Sequence, residues 1–484
     1  MPTIKMIPMY RFLLALVFLS FLGTTQTTHA QIVKDNTLPD WMTQNKALTA
    51  GFLQVPENHD QPDGRQIHIA YAVMKAKEPV EGAFPMIFFS GGPGGETLDE
   101  GLVEYLGEHP FRQGRDVILF DQRGIGLSSA LPDMSFDSFE ILALDADSEK
   151  ELVLTRKMIS DYKLKCAERQ VEPAYYNTQQ SARDVGMLFK HLGYTKYNLF
   201  GGSYGTRLAR VVQDLFPERI HASVLDSPAP LSGDFLLNRL DSYSLSLSRI
   251  FDYCANTPGC NAEYPELKAD YFKAIDHLEK APLKVTLRDS IPFVINAQDG
   301  VYLIRRLLYQ ANSREKAPEL IHAYLNGSGE VLQEVLDFEY RLTGGLNLTM
   351  LLSVEKYENF NPANTPKKIR EAYRQYPLVP VELGFFDAFY QAGMDWHSGH
   401  MAMEERHFED SDVPSLIFVN RYDPVTPPEN GRLFKENLSQ GTLLILDEGG
   451  HGGGNQDCKD QVIVSFMDHP QQPLDVSCLN LYKE

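Results

Sequence analysis

The sequence predicts an α/β protein: a mostly parallel sheet of eight strands with helices on its faces, split by a large, mainly helical insertion before the last two strands. Three observations predict it. Short continuous apolar runs, such as Phe84-Pro85-Met86-Ile87-Phe88-Phe89 and Val117-Ile118-Leu119-Phe120, read as strands buried on both faces. A third run, Tyr197 to Phe200, leads through Gly201-Gly202-Ser203-Tyr204-Gly205 directly into a helical pattern with Leu208, Val211, Val212 and Leu215 on one face. From about Leu231 to His407 the apolar spacing is helical throughout, and strand-like runs resume only at Ser415–Val419 and Leu443–Leu446.

The N-terminus reads as a processing signal. Lys5 and Arg11 precede an eleven-residue apolar run, Phe12 to Leu22, too short to span a bilayer, and Thr28-His29-Ala30 supplies small residues for cleavage after Ala30. An uncleaved anchor is the alternative. Gly51–Pro56 and Gln66–Met74 then read as two antiparallel strands, with Ile67, Ile69, Tyr71 and Val73 alternating along the second. Ser181–Leu192 reads as a helix with a Ser181/Asp184 capping box and Gly193 as its stop. Ala222–Asp226 is the next strand. These boundaries give residues 1–30 as signal peptide, 31–230 as the first part of the core, 231–410 as the helical cap and 411–484 as the last part of the core.

Acidic residues exceed basic ones, and the formal net charge is −20. Cleavage removes Lys5 and Arg11 and no acid, which makes the mature charge about −22. Such a surface repels phosphate backbones and anionic lipid, so neither a nucleic acid nor a membrane is an expected partner of the mature chain. It mildly attracts cations such as a free peptide amine. An exported chain permits disulfides, and two are expected among the five cysteines: Cys254 with Cys260, across the turn-forming Asn256-Thr257-Pro258-Gly259, and Cys458 with Cys478. Cys166 is left as a buried, unreactive thiol.

The chemistry centres on Gly201-x-Ser203-x-Gly205. A serine placed between a strand and a helix in this way is lifted clear of the sheet, and glycines avoid collisions around it. A serine hydroxyl needs a base and a group that orients the base. His451, in Gly449-Gly450-His451-Gly452-Gly453-Gly454 after the last strand, is the expected base. Asp423, in Tyr422-Asp423-Pro424 after the preceding strand, is the expected acid, with Asp226 as the second candidate. The N–H groups of Tyr204 and Gly92, the latter favoured over Gly91, are expected to form the oxyanion hole. Asp121 and Arg123 are expected to pair as a scaffold beneath the site. His397, His400 and His407, with Glu404 and Glu405, match no trusted ligand spacing, and neither a metal nor a cofactor is expected.

Ser90-Gly91-Gly92-Pro93-Gly94-Gly95, Asp121-Gln122-Arg123-Gly124-Ile125-Gly126-Leu127-Ser128, Gly201-Gly202-Ser203-Tyr204-Gly205-Thr206-Arg207-Leu208-Ala209 and Val224-Leu225-Asp226 together resemble the secreted tripeptidyl aminopeptidase and proline iminopeptidase group of α/β-hydrolases. The resemblance runs from about residue 50 to 230 and again from 412 to 480. It implies an α/β-hydrolase fold and an exported serine exopeptidase, periplasmic or secreted, acting on peptides with a free N-terminus. It carries Ser203, Asp423 and His451 as the triad. Two departures stand out: Ser90 replaces the histidine usual in iminopeptidases, and Glu96 stands where a small polar residue is common. Glu96 and Asp395 are the expected grips for the substrate ammonium. A carboxylesterase or lipase using the same triad and an inactive binding scaffold are the alternatives. The oligomeric state and the number of residues released per cut stay open.

Overall fold

Ten strands organise the chain, and a computed structural model describes them within residues 37–231, 234–453 and 455–483. The expected signal segment, residues 1–30, lies outside the described residues. The strands are β1 (Leu48–Pro56), β2 (Gln66–Met74), β3 (Met86–Phe89), β4 (Val117–Phe120), β5 (Tyr197–Gly202), β6 (Ile220–Asp226), β7 (Leu283–Leu287), β8 (Ile291–Ile295), β9 (Ser415–Asn420) and β10 (Gly441–Leu446). Eight of them form one sheet in the order β1-β2-β4-β3-β5-β6-β9-β10. β2 runs antiparallel to both its neighbours, and every other pairing is parallel. This is the α/β-hydrolase fold.

Burial explains the pattern. Every residue of β3, β4, β5 and β9 is buried, which is why these strands read as unbroken apolar runs. Each buried Val, Leu, Ile or Phe contributes about 1.5–3 kcal/mol. β1, at the sheet edge, is mostly half-exposed.

The helix before β5 starts earlier than its expected Ser181/Asp184 box. It spans Thr178–Leu192, and the Asn177 side chain caps it by accepting from the N–H of Gln180. Asp184 is instead drawn away by Arg123. Gly193 ends the helix in the left-handed conformation, φ 77°, where a Cβ would be strained.

The segment between β6 and β9 is mainly helical, as expected, but it also contains the β7–β8 hairpin, whose turn residues Arg288 and Asp289 take positive φ. The helical layer is larger than the insertion. Helices Ser135–Leu142 and Ser148–Glu168 lie between β4 and β5 in sequence, yet Phe139, Leu142, Met158, Ile159 and Tyr162 share one apolar core with Leu240, Leu303, Leu336 and Phe389 of the insertion. An amphipathic face must be covered by something, and only the folded chain says by what.

Both expected disulfides form, Cys254–Cys260 and Cys458–Cys478. Cys166 is free and buried, and burial pushes its thiol up to about 12. Among the described residues no helix is long and apolar enough to cross a membrane.

Candidate active site

The turn after β5 forces Ser203 to φ 53°, ψ −124°, outside the common wells for an L-residue and costly by about 1–3 kcal/mol. Close packing enforces it. A Cβ on Gly201 would come within 2.5 Å of the Gly205 carbonyl oxygen, and one on Gly205 would collide with the Phe89 carbonyl. The helix Tyr204–Leu215 starts at the next residue, so the serine stands at its N-terminus with the hydroxyl turned off the sheet.

Three loops at carboxyl ends of strands meet there. Ser203 Oγ lies 2.9 Å from His451 Nε2, and His451 Nδ1 lies 2.8 Å from Asp423 Oδ2. The alcohol, imidazole and carboxylate stand in hydrogen-bonding sequence across 248 and 28 residues of chain. Asp423 is fully buried and held on both oxygens: the N–H groups of Val425 and Thr426 donate to Oδ1 at 2.7 and 2.9 Å, and the Thr426 hydroxyl donates to Oδ2, the oxygen that faces His451, at 2.6 Å. Burial alone would raise its pKa, but the charge and hydrogen bond of His451 and the Thr426 donors outweigh this and hold it below the ordinary value. Burial likewise disfavours a charged His451, yet Asp423, then Tyr309 and Asp226, raise the imidazole above its usual value.

Asp226, the second acid candidate, has another occupation. Its carboxylate accepts from Lys459 Nζ at 2.6 Å, with both groups buried, and its carbonyl accepts from the Ser203 N–H at 2.9 Å. Gly92, at φ 112°, lines the cavity in front of Ser203. Gly91 lies so close that a Cβ there would sit 3.0 Å from the Ser203 Cβ. The N–H of Tyr204 opens its helix, where amides have no intrahelical partner. Ser90 stitches the glycine loop: its hydroxyl donates to Gly95 O at 2.5 Å, and Gln122 Nε2 donates to its carbonyl at 3.3 Å.

Several expected placements are corrected. Asp121 and Arg123 do not pair with each other. Asp121 accepts from the N–H groups of Thr97, Leu98 and Leu127, while Arg123 pairs with Asp184 and donates to the carbonyls of Pro56, Glu57 and Tyr175. Both follow β4, but their side chains leave it in different directions, each to satisfy separate backbone groups. Neither Glu96 nor Asp395 lines the cavity. Both are exposed; Glu96 stands in an acidic neighbourhood with Asp99, Asp121 and Asp133, and the carbonyl of Asp395 accepts from Lys163. His397 is buried against the Ser353 carbonyl at 3.0 Å, and burial lowers it to about 4. Exposed His407 lies 3.6 Å from Glu409. Among the described residues no metal-binding group of His, Cys, Asp and Glu gathers.

The sequence carries no sign of the cavity itself. Its volume is about 130 Å³, roughly ten times what one water needs. Ser203, His451 and Gly92 form its floor; aromatic rings including Phe235, Phe386 and Phe389 form its walls. Arg239, Arg305, Arg306, Tyr309 and Glu339 also line it. The Tyr309 ring meets the His451 imidazole edge to face, with centroids 5.2 Å apart. No motif marks these residues in the sequence, because they come from helices of an insertion whose pattern signals only burial.

The alpha/beta hydrolase fold profile matches residues 85–269, and the profile described as TAP-like protein matches residues 387–478. The "Putative hydrolase YuaR" of Escherichia coli (strain K12) is 24% identical over 97% of this chain and 97% of its own length. The tripeptidyl aminopeptidase of Streptomyces lividans is 29% identical over 44% of this chain and 41% of its own. Serine protease Hip1 of Mycobacterium tuberculosis (strain ATCC 25618 / H37Rv) is 22% identical over 86% of this chain and 84% of its own. Among solved structures, the proline iminopeptidase of Mycobacterium smegmatis covers 87% of this chain and 98% of that one, at 14% identity and a TM-score of 0.39.

Proposed function

The chain belongs to the tripeptidyl aminopeptidase-like group of α/β-hydrolases, and on that premise we propose that it is an exported serine peptidase that cleaves short peptides near their free N-terminus. The observation that carries this reading is the hydrogen-bonded order Ser203, His451, Asp423 at the floor of a covered cavity. Relatives named tripeptidyl aminopeptidase and serine protease support the peptidase class.

In the proposed reaction Ser203 Oγ attacks the scissile carbonyl while His451 Nε2 takes its proton. Asp423 fixes the tautomer through Nδ1–H and stabilises the imidazolium. The N–H groups of Tyr204 and Gly92 meet the oxyanion. His451 then gives its proton to the departing amine, leaving an ester on Ser203. Water, deprotonated by the same imidazole, releases the acyl product. The helical cover restricts entry to chain ends and lowers the water content of the cavity. The two disulfides support export, since such bonds persist in oxidising compartments.

One observation favours the carboxylesterase alternative. Glu339 is the sole acid lining the cavity among the described residues, and Arg306 holds it at 2.7 Å, so no carboxylate stands ready for an ammonium. A substrate panel separates the readings. Tripeptide anilides with free and with acetylated N-termini are offered beside short acyl nitrophenyl esters, with Ser203→Ala as the blank. Anilide turnover requiring the free amine supports the proposal. Ester turnover alone supports the alternative, and turnover that survives in Ser203→Ala removes both.

A further inference from the structure

The protein is strongly acidic, yet the cavity above Ser203 is lined by three guanidinium groups and one carboxylate. Glu339 is taken: it forms an ion pair with Arg306 at 2.7 Å and accepts from the Tyr302 hydroxyl at 2.7 Å. Among the described residues, Arg239 and Arg305 have no carboxylate within ion-pairing distance. Arg239 donates to the Phe235 carbonyl at 2.7 Å, and Arg305 donates to the Tyr309 hydroxyl at 3.2 Å. Each guanidinium carries five N–H donors. Arg305 is only 3% exposed, and its Nε has no partner.

The two cations converge. Both lie against the same ring, Phe386, with guanidinium carbons 5.6 Å (Arg239) and 5.3 Å (Arg305) from its centroid. Arg239 also stacks on Phe235 at 3.4 Å. Burial lowers Arg239 to about 10; Glu355, which hydrogen-bonds to Asn359, pushes the other way, and Arg305 and Arg306 add to the lowering. Tyr309 records the same field. Burial would raise its phenol, but Arg305, Arg306, His451 and Arg239 bring it down to about 8. Like charges crowded against aromatic walls repel each other and have lost their water, and an anion between them relieves both costs.

We propose that Arg239 and Arg305 form a carboxylate-binding subsite, so that the preferred peptide places a carboxylate in this cavity while its scissile carbonyl sits at Ser203. The inference rests on the peptidase reading for its substrate class, but not for the binding of the anion. A short peptide can supply the carboxylate from an Asp or Glu side chain or from its own C-terminus. Both match the planar fork of arginine.

The test has two arms and two readouts. In one arm, Ala-Ala-Glu and Ala-Ala-Gln anilides, with the acid or amide moved through each position, are compared. In the other, free tripeptides are compared with their C-terminal amides. Turnover is measured with the wild type. Equilibrium binding is measured with Ser203→Ala, which needs no chemistry.

The carboxylate member of the decisive pair should bind roughly 10- to 100-fold tighter, the worth of a hydrogen bond to a charged group, and show this in KM more than in kcat. Arg305→Gln and Arg239→Gln should each bring that ratio toward one, and Arg305→Lys should restore part of it. The arm in which the ratio appears identifies the source of the carboxylate. Should the Gln variants not fold, the ratio in Ser203→Ala and its decline with added salt decide. Equal binding of acid and amide in both arms, or tighter binding of the amide, overturns the subsite. Peptide turnover without charge preference would leave the peptidase reading standing and remove this one. Tight acidic-peptide binding by a chain that cleaves no peptide would do the reverse.

Discussion

Tyr309 and His451 join the two layers of the molecule. The tyrosine, from the helical cover, sets its ring edge to face with the imidazole from the β10 loop, centroids 5.2 Å apart. The cover therefore touches the proposed base directly.

The first prediction concerns pH. A base must be neutral to take a proton, so kcat/KM rises as His451 deprotonates. Burial lowers the imidazole pKa, while Asp423 and, more weakly, Tyr309 and Asp226 raise it, with a net increase. The acid-side inflection should thus lie above the ordinary imidazole value of about 6.5. Tyr309→Phe removes one of the raising groups, so that inflection should move to lower pH. A second inflection near pH 8, from the phenol held down by Arg305, Arg306 and Arg239, should vanish in the same variant. An unchanged profile would separate Tyr309 from the chemistry.

Asp423→Asn keeps the shape of the buried side chain but removes its charge and favours the wrong imidazole tautomer. Turnover should fall by about 10,000-fold with little change in KM. Asp226→Asn tests the rejected acid. Its partner Lys459 would be left buried and unpaired, so that variant should lose stability rather than kcat selectively. Thermal melts beside kinetics distinguish the two.

Arg207 fastens the cover to the core. Four residues beyond Ser203, it pairs with Glu358 at 2.9 Å, and Glu358 also accepts from the Thr178 N–H at 2.7 Å. Both side chains are buried. Glu358→Gln should cost about 3–5 kcal/mol, read from denaturant unfolding, because it strands a buried cation. Replacing both partners with apolar residues of similar size should cost less than the single change.

Glu151 predicts the pH dependence of stability. It is 1% exposed between the helices Ser148–Glu168 and Gly384–Gly393. Burial lifts it to about 8; Asp387 and Asp147 add to the rise, and Gln298 opposes it. Asp299, close enough to interact with Glu151, is itself raised well above its ordinary value. The folded state therefore keeps a proton that the unfolded chain gives up near its ordinary value of about 4.3. Stability contributed below that value is lost as pH rises toward 8. Glu151→Gln should raise Tm at pH 8 and change it little at pH 4. A Tm gain equal at both pH values would mean that the proton is not involved.

The sequence by itself determined the sheet and the reactive loops. Parallel strands buried on both faces must be unbroken apolar runs, and a serine at a strand-to-helix turn needs small neighbours, so β3, β4, β5 and β9 and the Gly201–Gly205 turn were legible residue by residue. Ser203, Asp423 and His451 could be named because each follows a strand in a fixed order along the chain. The partners of Asp121 and Arg123 and the placement of Glu96 and Asp395 away from the cavity were not legible, since side-chain direction beyond the end of a strand or helix depends on what else needs satisfying nearby. The arginine-lined cavity was decided only by tertiary structure. Its walls come from helices far apart in sequence, and helical periodicity says which face is buried without saying which charges that burial brings together.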